Sequence, residues 1–144
     1  MARKYKKGFA EKHPADRKTD PNVAAAVKEK APDGRISCIA AFDVSGKLNV
    51  LPSQVGFTAD ALDIRITKCQ LGLFGYRPKK KMVRPAETVS GDLEDTLRDA
   101  RVNDRLPCIC AWEIAERNNV DKTEISAACE TLNIKISTCQ LGAF

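Results

Sequence analysis

Apolar residues return along this chain mostly at helical spacing, and they do so in two successive sets. In the second half, Ser90 and Asp92 can cap a helix whose apolar positions Leu93, Leu97 and Ala100 recur at i, i+4 and i+7. Asn103-Asp104 closes that run. Pro107 suits the first turn of a second helix, extending to about Asn118 with Cys108, Ala111, Trp112 and Ala115 on one face. Asn119 tolerates a left-handed backbone, and Asp121 can cap a third helix that carries Ile125, Ala128, Cys129 and Leu132 on one side. Ile134-Lys135-Ile136 alternates apolar and polar, which predicts a short strand. The first half gives the same order. Asp20 is the first cap, Asn49 the turn residue, and Pro52–Leu62 the third helix, which carries Val55, Thr58, Ala59 and Leu62.

The recurrence extends to residue identity. Shifting the chain by 70 positions aligns Arg35–Phe74 with Arg105–Phe144 without a gap, and 14 of those 40 pairs are identical. Cys38/Cys108, Ala41/Ala111, Asn49/Asn119, Val50/Val120, Leu62/Leu132 and Ile66/Ile136 are among them. Both copies end on one word, Cys69-Gln70-Leu71-Gly72 and Cys139-Gln140-Leu141-Gly142, with Phe74 matching Phe144. A fixed-period self-similarity of this kind marks an internal duplication. It divides the chain into a basic tail (1–19), repeat A (20–74), a basic linker (75–89) and repeat B (90–144). A single repeat of about 55 residues is marginal as an independent fold, so the two are expected to form an intrachain pseudo-dimer. The oligomeric state beyond that is open.

Charge follows the same partition. The tail carries a net +5 and the linker a net +4, whereas repeat A is neutral and repeat B carries −4. All of the excess positive charge therefore lies outside the repeats. Composition, at 43% hydrophobic and 30% charged residues, is that of a soluble globular protein. No apolar run approaches the ~18 residues of a membrane span, and the tail MARKYKKGFAEKH lacks the apolar core of a secretory signal. A cytoplasmic location is expected.

The stretch Ile114–Ala128 resembles a helix-turn-helix. Ala115 supplies the small residue at which two helices cross, Asn119 the turn four positions later, and Val120 and Ile125 the apolar positions that follow. Ser45, Asn49, Val50 and Val55 fill the same slots in repeat A. Two departures stand out: the turn is usually Gly, and position 118 is Asn where an apolar residue is expected. The trailing strand suggests a small wing, as in winged-helix proteins. The chain as a whole is also similar to small tandem proteins of anaerobic microbes that end in Cys-Gln-Leu-Gly-x-Phe. The fold expected is thus mainly α, a duplicated three-helix helix-turn-helix unit, each copy with a short C-terminal β-strand or wing.

The resemblance implies double-stranded DNA as partner, with the third helix in the major groove and transcription regulation as the role. The residues placed to read bases are Ser53, Gln54 and Thr58 in repeat A, and Lys122, Thr123 and Ser126 in repeat B. Lys79, Lys80 and Lys81 of the linker, with the tail, would hold phosphates. Against this, Pro52–Leu62 contains no Lys or Arg, and a repeat of net −4 is a poor match to a polyanion. The same fold also serves as a protein-docking or assembly module, which is the alternative partner class. No cofactor is expected. His13 is the only histidine, and no phosphate loop, nucleophile elbow or acidic metal motif occurs, so an enzyme is not expected.

The cysteines allow a third reading. Cys38, Cys69, Cys108 and Cys139 are matched between repeats, and four such thiols could ligate zinc or an iron–sulfur cluster in a metal- or redox-sensing regulator. Cys38 and Cys108 fall at helix starts, where the dipole would lower a thiol pKa. The separation of 31 positions within each repeat corresponds to no established ligand motif, and buried cysteine is an ordinary small apolar filler. Filler is the reading preferred from sequence, and Cys110 and Cys129, which replace Ala40 and Ala59 of repeat A, fit it directly.

Overall fold

The computed structural model describes residues 18–76 and 81–143. It is mainly helical, with six helices and four short strands among those residues. In chain order they are α1 (Pro21–Lys30), β1 (Arg35–Ser37), α2 (Cys38–Leu48), α3 (Pro52–Ala61), β2 (Arg65–Thr67), α4 (Gly91–Asp99), β3 (Arg105–Pro107), α5 (Cys108–Asn118), α6 (Lys122–Leu132) and β4 (Lys135–Ser137). The order helix, strand, helix, helix, strand therefore occurs twice. Two compact units contain these elements. The first gathers the described residues up to Lys68 together with Leu141–Ala143, and the second comprises Cys69–Gln140.

In the first unit the local signals are obeyed closely. Asp20 caps α1, its carboxylate accepting the N–H groups of Asn22 at 2.7 Å and Val23 at 3.4 Å, and Pro21 occupies the first turn. Val23 and Val27, one turn apart, are buried. Ser37 caps α2 by accepting from the Ala40 N–H. Asn49 ends α2 at φ 55° in the left-handed region, and the Val50 N–H returns to the Ser45 carbonyl while the Ser45 hydroxyl donates to the Val50 carbonyl at 2.6 Å. That double clamp fixes the angle at which α3 departs. In α3, every residue from Val55 to Asp60 is buried.

The second unit repeats the scheme with different capping. Ser90 accepts from the Leu93 N–H, Asp92 and Glu94 sit in the positive first turn of α4, and Arg98 pairs with Glu94 at 2.8 Å one turn later. Asn119 closes α5 at φ 55°, and the Val120 N–H bonds the Ala115 carbonyl at 3.0 Å. The core joins Leu97 of α4, Leu106 of β3, Ala111 and Ile114 of α5, Ile125 and Cys129 of α6, and Ile134. Cys69 and Leu71, from the segment after β2, belong to this core as well. Leu71 is fully buried, and a side chain of that size contributes roughly 1.5–3 kcal/mol on leaving water.

Three expectations need correction. A strand precedes the second helix of each unit, so Pro107 ends β3 and Cys108 opens the helix. The trailing strand is not a hairpin wing; it pairs in parallel with that earlier strand, Ile36 beside Ile66 and Leu106 beside Ile136. Parallel pairing needs a long crossover, and the two intervening helices supply it. The Asp121 side chain accepts no capping hydrogen bond at the start of α6; only its carbonyl does, from the Glu124 N–H at 3.0 Å, so it caps by position.

Candidate nucleic-acid interface

A helix-turn-helix reads DNA through the early side chains of its third helix, so the surface of α3 and α6 decides what each unit can offer. In the first unit, the exposed face of α3 is limited to its start. Ser53 is exposed and Gln54 half-buried, but Thr58 is fully buried and its hydroxyl donates to the Gln54 carbonyl at 2.8 Å. Thr58 therefore cannot touch a base. The cause is Gly56: a side chain there would meet the main chain of Leu141, which is itself buried against this helix. The segment Leu141–Ala143 thus covers the face that would enter a groove.

In the second unit the first turn of α6 is more open. Lys122 and Thr123 are half-buried, and the Lys122 ammonium lies 4.7 Å from the centre of the Trp112 ring, a cation–π contact that holds it at the α5–α6 turn. Trp112, Ala115, Glu116, Val120, Asp121 and Lys122 line an open hollow of about 280 Å³ there. Ser126, in contrast, is 1% exposed and its hydroxyl faces the Lys122 carbonyl at 3.5 Å. It joins Thr58 as a residue that sequence spacing placed on the reading face and packing removes from it. A Cβ on Gly72 would come within 3.4 Å of Thr123, so the Cys69–Gly72 segment crosses this helix as well.

The chain matches no known family, characterised protein or solved structure with which it was compared.

The linker residues divide. Lys79 and Lys80 lie outside the described residues, as does most of the basic tail. Lys81 is exposed but spoken for: its ammonium is 2.8 Å from Glu130 on α6. The chain that follows is laid along α6, with the Ala86 N–H on the Ala127 carbonyl and the Thr131 hydroxyl on the Ala86 carbonyl. The outer surface of α6 at Ala127, Glu130 and Thr131 therefore contacts its own chain.

Sequence reasoning missed this covering. The available signal was the repeated word Cys-Gln-Leu-Gly, whose Leu71 and Leu141 are fixed in both copies in a glycine-bearing segment with no helical or alternating context. A large apolar residue retained in a turn has to be buried somewhere. For Cys108 the expectation of a lowered thiol pKa is also overturned. Burial pushes the Cys108 thiol up to about 11 despite its place at the start of α5, so desolvation outweighs the dipole. Among the described residues no group of Cys, His, Asp or Glu side chains is arranged to share a single metal ion. No helix among them is long and apolar enough to cross a membrane.

Proposed function

We propose that this chain is a non-enzymatic, cytoplasmic DNA-binding protein of the transcription-regulating kind, built by duplication of a helix-turn-helix unit. The observation that carries this is the geometry around Asn119: a left-handed residue between two helices, Val120 bonded back to Ala115, and a small residue at the crossing. Asn49 repeats the same conformation in the first unit. Lys122 and Thr123 are the base-facing candidates, with Ser53 and Gln54 in a lesser place because α3 is largely covered. The basic tail and Lys79, Lys80 and Lys81 supply the phosphate attraction.

A specific observation favours a second reading. A third helix buried over six consecutive residues is a structural strut, which suits a protein-docking or assembly module. Binding of the full chain to mixed genomic DNA fragments at two salt concentrations separates the two. The DNA reading expects retention that falls steeply with salt, as each neutralised phosphate releases a counterion, and enrichment of particular sequences. No retention at low salt transfers the assignment to protein docking.

A further inference from the structure

The repeated word does not close the repeat that carries it. The first unit is completed by Leu141–Ala143, whereas Cys69 and Leu71 enter the core of the second. Leu141 is buried against α3, its main chain in the place that a Cβ on Gly56 would need. Leu71 packs in the cluster that holds Ile125, Ala128 and Cys129 of α6, and a Cβ on Gly72 would stand 3.4 Å from Thr123. In each unit, then, the third helix is covered by a Leu-Gly step that belongs to the other repeat.

Word and seat are equivalent in the two places. Gly72 at φ 76° and Gly142 at φ 79° give both words the same left-handed step. Val55 and Ala59 of α3 occupy the positions that Ile125 and Cys129 hold in α6, and all four are buried. The chain enters each word through a matched bend, with Lys68 at φ 50° and Thr138 at φ 59°. Neither is a glycine, and Thr is β-branched, the class of side chain for which a left-handed backbone is a true outlier. Extending the chain at Lys68 or Thr138 releases that strain and carries the word away from the seat it holds.

We propose that a second copy of this chain is a partner, and that two copies join by exchanging Leu141–Ala143, each seating that segment over Gly56 on α3 of the other. A segment that already closes a unit across the duplication makes the same contact when it comes from another molecule. The exchanged dimer therefore keeps the packing found within one chain. What changes is the bend at Lys68 or Thr138, which opens, and the freedom lost when two chains associate. Concentration sets the balance between the closed chain and the dimer. Recognition is apolar and steric: a leucine side chain enters the core, and its main chain passes close over a residue that has no Cβ. The exchange is independent of the DNA reading.

The test uses full chains bearing two different affinity tags. They are mixed in urea near the unfolding midpoint, returned to buffer across a concentration series and sized by light scattering. A species of twice the 15.8 kDa of one chain should appear and grow with concentration. Capture on one tag should recover the other copy after this treatment, and not after simple mixing of folded chains, because exchange requires a bend to open. Lys68→Gly with Thr138→Gly, both at exposed positions, keeps the left-handed bends at less strain and should lower the dimer fraction about tenfold or more at equal concentration. A photoreactive leucine analogue in place of Leu141 on an isotopically heavy copy should cross-link to Val55–Asp60 of a light copy in the dimer, and within its own copy in the monomer. Circular dichroism of each chain shows that it is folded. A chain that stays monomeric throughout overturns the proposal, as does a dimer that forms by simple mixing. So does a dimer fraction unmoved by the two glycines, or a dimer whose cross-links stay within single copies.

Discussion

Gly56 lies directly beneath the carbonyl of Leu141, so close that a Cβ at position 56 would overlap the main chain. The obstacle is backbone, which cannot swing aside as a flexible side chain can. Gly56→Ala should therefore displace the Leu141 segment and destabilise the protein by about 1–3 kcal/mol, the usual range for overpacking. Leu141→Ala, which empties the same place without a clash, should cost about 2–5 kcal/mol. Urea unfolding measures both. A neutral Gly56→Ala would mean that the segment does not seat on α3.

The turn residues allow an independent check on backbone strain. Asn49 and Asn119 sit at φ 55°, where an L residue with a Cβ is unfavourable and glycine is not. Asn119→Gly should leave stability unchanged or raise it slightly. Asn119→Ala should lower it by about 1–2 kcal/mol, a fall in Tm of several degrees for a unit of this size. Equal melting of the two variants would remove the left-handed turn from the fold.

What could be read in the sequence depended on how local its cause was. Asp20, Ser90, Asn49 and Asn119 act within five residues of themselves, and each was legible in its place. β1 and β3 were not. Three residues such as Arg35-Ile36-Ser37 hold too little alternation to announce a strand, and they become one only because β2 arrives beside them. Thr58 and Ser126 were misplaced for the same reason. Their spacing along α3 and α6 is right for a reading face, but the covering segments come from far along the chain, and no periodicity within the helix records them.

For DNA recognition the buried residues and the open ones make opposite predictions. Ser126→Ala removes a hydroxyl that faces its own helix, so the preferred sequence should not change. Lys122→Ala should weaken binding by roughly 1–3 kcal/mol if it contacts a base, and should alter which base is favoured at one position. Neutralising Lys79, Lys80 and Lys81 together should weaken all sequences about equally and flatten the salt dependence. Selection of bound fragments by each variant, followed by sequencing, distinguishes these patterns. A changed preference on Ser126→Ala would place that side chain outside the core.

Cys129 gives the last prediction, on alkaline stability. Burial, with a smaller contribution from the neighbouring Glu130 carboxylate, pushes its thiol up to about 12, well above the ~8.5 of an unfolded cysteine. The folded chain therefore holds this proton more tightly than the unfolded chain. The stability that follows is fully present below the unfolded pKa and is lost as pH rises through the interval toward the folded value. Within that window one thiol should cost about 1.4 kcal/mol per pH unit. Cys129→Ala removes the effect and restores the residue found at the matched position, Ala59, at a packing cost of about 1 kcal/mol near neutral pH. The variant should thus be the less stable chain at pH 7 and lose that disadvantage as pH climbs above 9. Urea midpoints taken along a pH series compare the two directly, since every other titrating group is common to both. Parallel curves across the series would show that Cys129 ionises as freely in the folded state as in the unfolded one.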